Sequence, residues 1–120
     1  MKDTSAATDI EFRADSVAKA MAELGVRVVH GIGRLDSRVA HYGGVTIAFR
    51  PTPDGTRLEI STAVCHPKEG FSRRIGRVRA VEALIRGDTI LIPRINGVPD
   101  KIQAAHLAQS MTWPLSADWL

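Results

Sequence analysis

The sequence predicts an α+β fold: a small antiparallel sheet with a central hairpin, and three helices. Three observations carry this. Val45-Thr46-Ile47-Ala48-Phe49 and the run from Leu58 to Val64 flank the turn cluster Pro51-Thr52-Pro53-Asp54-Gly55, which is the pattern of a β-hairpin. Around the hairpin, apolar positions switch between helical and strand periods in the order helix, strand, hairpin, helix, strand, helix. With 120 residues in all, too little chain is left for repeated βαβ crossovers.

Taken in order, residues 1–8 are small and polar and are expected to be a flexible N-terminus, with a single domain over 9–120. Thr8-Asp9-Ile10-Glu11 has the form of a capping box, so the first helix is expected to start there. Ile10, Ala14, Val17, Ala18, Met21 and Leu24 form its apolar stripe, and Gly25 stops it. Val26, Val28 and Val29 then predict a first strand, ending in a flexible segment His30-Gly31-Ile32-Gly33. Residues 35–41 are a candidate for further extended chain, and His41-Tyr42-Gly43-Gly44 connects to the hairpin, whose first strand is read as alternating outward and inward positions.

Pro67 and Gly70 take the chain out of the sheet, and a second helix is predicted from about Ser72 to Arg86, with Gly87 as its stop. Its apolar and small residues cover most of the circumference, so it should be covered on two sides, the second cover being the tail or another subunit. Thr89-Ile90-Leu91-Ile92 predicts a short strand, Asn96-Gly97 a turn, and Pro99 the first turn of a third helix through Met111. The tail, 112–120, carries Trp113 and Trp119, which read as core or interface anchors.

Composition excludes several classes. Apolar residues at 44% and charged residues at 24% argue against wholesale disorder. A single cysteine, Cys65, cannot form an intramolecular disulfide, and the four histidines lack zinc-ligand spacing, so no metal or cofactor is expected. No apolar run is long enough to cross a bilayer, and the start lacks a signal-peptide pattern, so a cytoplasmic protein is expected. Adjacent Cys65 and His66 on a strand point to opposite faces and do not make a nucleophile and base. Asp36, Asp54 and Glu59 form no recognisable acid/base pair, and Asp54 suits a turn. The segment His30-Gly31-Ile32-Gly33-Arg34 lacks the third glycine and the lysine of a phosphate loop, and Arg57 and Arg94 are explained by a strand face and a loop. An enzyme is not expected.

The positive signal is arginine. Twelve Arg and four Lys oppose thirteen acids, for a net charge of +3. Between 66 and 86, Lys68, Arg73, Arg74, Arg77, Arg79 and Arg86 face only Glu69 and Glu82, a local +4 at the start of a helix. A helix N-terminus favours anions, so arginines there point to an anionic partner. Phe71, at the helix entrance, is suited to stacking on a base. The candidate ligand-binding residues are therefore Phe71, Arg74, Arg77 and Arg79. The alternative is structural: Phe71 staples onto Ile75, and the arginines form a solvated face paired with Glu82 and Glu69.

The run Cys65-His66-Pro67-Lys68-Glu69-Gly70-Phe71-Ser72-Arg73-Arg74-Ile75-Gly76-Arg77 resembles a motif of small phage and prophage proteins, and is similar to the first family of Thoeris anti-defence proteins. Those sequester cyclic ADP-ribose-type immune messengers, and some bind cyclic oligonucleotides. The resemblance covers residues 45–86 and departs at Glu69 and Gly70. It implies a non-catalytic homo-oligomer in an infected or lysogenic host, with ligand sites between subunits, Phe71 stacking on a base, and Arg77 and Arg79 on phosphate. Two other classes use the same residues. A nucleic-acid-binding accessory protein presents the arginines as an open strip. A protein inhibitor of a host defence complex uses them with Trp113 or Trp119 as a protein interface.

Overall fold

The computed structural model describes residues 2–32, 44–65 and 72–111. The elements are α1 (Lys2–Leu24), β1 (Arg27–Ile32), β2 (Gly44–Pro51), β3 (Arg57–Cys65), α2 (Arg73–Ile85), β4 (Ile90–Pro93) and α3 (Asp100–Ser110). The four strands form one antiparallel sheet in the order β1-β2-β3-β4, so the α+β architecture with a central hairpin is as expected.

Both faces of the sheet are covered. Val29, Val45, Ile47, Phe49, Leu58 and Ile60 pack against Ala104 and Ala108 of α3. On the other face Ala48 and Val28 pack against Val78, Ala80, Val81 and Leu84 of α2. β2 is therefore buried from Gly44 to Phe49, and the outward/inward alternation expected for it is corrected: even Thr46 is wholly inaccessible. A strand between two others and between two helix layers has no solvent face to turn polar residues toward. α1 supplies a second cover for α2, its Ala14, Val17 and Met21 joining the α2 cluster, while the tail, 112–120, lies outside the described residues.

α1 begins at Lys2 rather than at Thr8, so the capping-box sequence falls inside it. Lys2 to Ala7 contains no glycine or proline, so nothing there opposes continuation of the helix. Ala18 and Leu24, assigned to the buried stripe from their spacing, are exposed.

His30-Gly31-Ile32 is not a flexible segment; it is the end of β1, paired with Thr46, Val45 and Gly44. Gly31 meets the C-terminal turn of α3 so closely that a Cβ there would lie 2.5 Å from the carbonyl oxygen of Ala108. Gly33, the segment 35–41 and the connection 41–43 lie outside the described residues.

The hairpin turn is fastened by Asp54, whose carboxylate accepts from the Thr52 hydroxyl at 2.6 Å, the Thr56 hydroxyl at 2.9 Å and the Thr56 backbone N–H at 3.1 Å. Those donors hold its pKa down to about 2, which gives Asp54 the turn role its sequence suggests. The β4–α3 loop is fastened in the same way. Arg94 donates to Asp100 at 2.9 Å and to the Gly55 carbonyl at 2.8 Å, while Gln103 bridges Ile95 N–H and Pro93 C=O.

Candidate functional site

The basic segment enters α2 through Ser72. This residue has extended backbone and its hydroxyl accepts from Ile75 N–H at 3.2 Å, while no acid occupies the first turn. Ser72 is the N-cap that the helix needs, so the arginines behind it are not required to start the helix. Arg73, Arg74, Arg77 and Arg79 are all exposed. One of their two expected partners, Glu82, is engaged elsewhere. Glu82 accepts from Arg13 of α1 through both oxygens, at 3.0 and 2.6 Å, and that guanidinium holds its carboxyl below the usual range. Among the described residues, Arg73, Arg74, Arg77 and Arg79 form no ion pair.

Arg13→Ala should return the Glu82 pKa toward its ordinary value and free its carboxylate for Arg79 and Arg86, three and four residues away on the same helix. The pair is partly solvated, so the stability cost should be only about 0.5–1 kcal/mol, read as a shift in denaturant midpoint. An NMR titration of Glu82 that moves by nothing in the variant would contradict the clamp.

The structure separates the expected ligand set. Arg77 lines a cavity of about 500 Å³ at the β1 edge, with Met21, Arg27, Val28 and Lys101. Arg79 lines a second cavity, also about 500 Å³, beside Thr62 to Val64 of β3, with the Arg13–Glu82 pair, Arg86 and Asp88. Since β1 and β3 flank β2 on opposite sides, Arg77 and Arg79 open on opposite flanks of α2. A two-residue step around a helix is ~200°, which is why neighbours in the motif part company. Arg74 lines neither cavity. Phe71, Cys65's neighbour His66, Glu69, Asp36 and both tryptophans lie outside the described residues.

The two cavities differ in character. In the β3-side cavity, two acids accompany three arginines, and the Arg13–Glu82 ion pair spans α1 and α2. The β1-edge cavity has three cations and no acid among its described lining residues. Close to it, His30 Nδ1 is 2.8 Å from the Thr46 hydroxyl. Burial, with the positive charges of Arg73 and Arg77, lowers the His30 pKa from 6.5. Arg73 and Arg77 are one helical turn apart, so the electrostatic field at this end of α2 is felt inside the sheet.

The sign of the pH effect follows. Folded His30 stays neutral where the unfolded histidine already binds a proton, so it costs no stability above pH 6.5. The cost grows as pH falls from 6.5 toward the lower folded-state value, and is constant below that. His30→Gln should therefore lose less thermal stability than the parent between about pH 8 and about pH 5. Equal losses would contradict a depressed His30.

Sequence reasoning missed Arg27, Lys101, Arg13 and His30. Each lies far along the chain from the motif, and only the packing of α1, β1 and α3 places them near the arginines of α2. Among the described residues, no cluster of three or more His, Cys, Asp or Glu could hold a metal ion, and no helix is long and apolar enough to cross a membrane. Comparison of the chain with protein-family models, curated proteins and solved structures returned no match.

Proposed function

We propose that this protein binds and sequesters a small phosphate-bearing ligand without cleaving it, the ligand being a cyclic nucleotide messenger of the cyclic ADP-ribose or cyclic oligonucleotide type. In this reading it is a phage or prophage anti-defence protein. One observation carries the binding claim: α2 opens with exposed arginines that form no ion pair among the described residues, and the acid of the same helix, Glu82, is held by Arg13. Unneutralised cations at the positive end of a helix raise the energy of the empty protein, and a phosphate relieves it. The messenger class rests on the resemblance of the 65–77 motif, and Phe71 is its base-stacking residue. A homo-oligomer suits the arrangement, because a second copy can bring the Arg79 flank of one chain to the Arg77 flank of another.

Incubation with cyclic ADP-ribose isomers and cyclic oligonucleotides, followed by heat denaturation and chromatography, tests the reading. The expected result is protection of one messenger until denaturation and its recovery intact. Recovery of a cleaved product would overturn sequestration.

A second reading is favoured by the separation of Arg77 and Arg79. Arginines on both flanks of a helix make an open strip, which suits a nucleic-acid backbone better than an enclosed ligand. It predicts binding to short single strands of any sequence, falling steeply with salt, and no protection of a cyclic messenger.

A further inference from the structure

We infer that the β1-edge cavity is a binding site for the anionic part of a compact phosphate-bearing ligand, held by Arg27 of β1, Arg77 of α2 and Lys101 of α3. The inference rests on the anion-binding reading and gives that reading a place. Three separate elements contribute one cation each, and none of the described lining residues is acidic.

Two acids close in sequence to its cations are engaged elsewhere. Asp100, next to Lys101 in sequence, accepts from Arg94 at 2.9 Å, and Glu82 of α2 accepts from Arg13. Arg27 has no counter-ion among the described residues: its guanidinium carbon lies 5.3 Å from the centre of the Phe49 ring, opposite it across β1 and β2. A cation fixed on an aromatic face keeps its N–H groups available to a ligand.

Met21 and Val28 supply the apolar part of the wall. At about 500 Å³ the cavity is of the size that small-molecule sites take. Three cations match at least two negative charges, which points to a diphosphate or a cyclic dinucleotide rather than a monoanion.

The test is calorimetric titration of the parent protein and of Arg27→Gln, Lys101→Gln, Arg79→Gln and Arg86→Gln with inorganic pyrophosphate and a panel of cyclic nucleotides. Circular dichroism would verify the fold of each variant. Arg86→Gln removes the same charge from the same helix on the other flank. The site predicts pyrophosphate binding weakened about tenfold or more by Arg27→Gln and by Lys101→Gln, and less than about twofold by Arg86→Gln. If the parent binds a cyclic nucleotide and only Arg79→Gln weakens it, the β1-edge site is overturned while anion binding stands. If pyrophosphate binds with the predicted variant pattern and no cyclic nucleotide binds, the site stands and the messenger reading falls. Absence of binding to every probe overturns both.

Discussion

Gly31→Ala is expected to destabilise the fold by about 3 kcal/mol, at the upper end of what overpacking costs. For a domain of this size that is a fall in Tm of roughly 12 °C. The added Cβ would lie 2.5 and 2.6 Å from the carbonyl oxygen and carbon of Ala108, and 2.9 Å from the backbone nitrogen of Gln109. None of these is the end of a side chain that can rotate away. Either β1 leaves its register with β2, giving up the pairs Val29↔Ile47 and Gly31↔Val45, or α3 lifts off Val29, Val45 and Ile47. Both routes open the core layer that Ala104 and Ala108 close. Thermal unfolding by circular dichroism measures it, and an unchanged Tm would contradict the close approach of α3 to the sheet.

Arg77→Glu is expected to move binding and stability in opposite directions. On the binding side it removes the α2 cation of the β1-edge cavity and places a carboxylate in a lining shared with Arg27 and Lys101. Loss of one charge-assisted contact is worth about 1.5–3 kcal/mol, and a repulsive charge adds to it, so affinity for a phosphate ligand should fall on the order of 100-fold or more. On the stability side, the new acid sits one turn from Arg73 at a helix start that has no acid in its first turn. That arrangement favours the helix, so Tm should hold or rise. The pKa of His30 should climb toward 6.5, because one of the two cations that depress it is gone. Calorimetry, thermal unfolding and a histidine NMR titration read the three effects. Unchanged affinity would remove Arg77 from the site.

In the proposed reading, arginines stand where acids would stabilise the helix because a phosphate site keeps its cations unpaired, at a small cost in stability.

The local signals in the sequence were sufficient for the element order. The Pro-Thr-Pro-Asp-Gly turn, Ser72 as N-cap, and the stops at Gly25 and Gly87, both with φ near +70 to +80°, are decided within a few residues. What failed to show was anything set by packing between distant segments. β2 reads as a half-buried strand because its neighbours in sequence cannot reveal that α2 and α3 lie on its two faces. His30-Gly31-Ile32 reads as flexible because two glycines in four residues look like a linker, whereas Gly31 is there to admit the backbone of α3.

The site divides in the same way. The basic helix start, Arg73 to Arg79, was legible as a charge excess in one stretch of chain. Its geometry was not, since helical rotation sends Arg77 and Arg79 to different flanks. Nor was the role of Glu82 legible: it shares a helix with the arginines but is bound to Arg13, sixty-nine residues away. Arg27 and Lys101 are isolated cations in the sequence, and only the edge position of β1 brings them together with Arg77.

The most direct test of the central claim is thermal unfolding of the parent protein against cyclic ADP-ribose isomers, cyclic oligonucleotides and short single-stranded DNA at low and high salt. A ligand present at ~100 times its Kd adds ~2.7 kcal/mol, which in a domain of this size is a rise of roughly 10 °C. The account predicts such a rise with one cyclic messenger, retained at high salt. A rise with DNA alone, abolished by salt, or no rise with any of them, would contradict it.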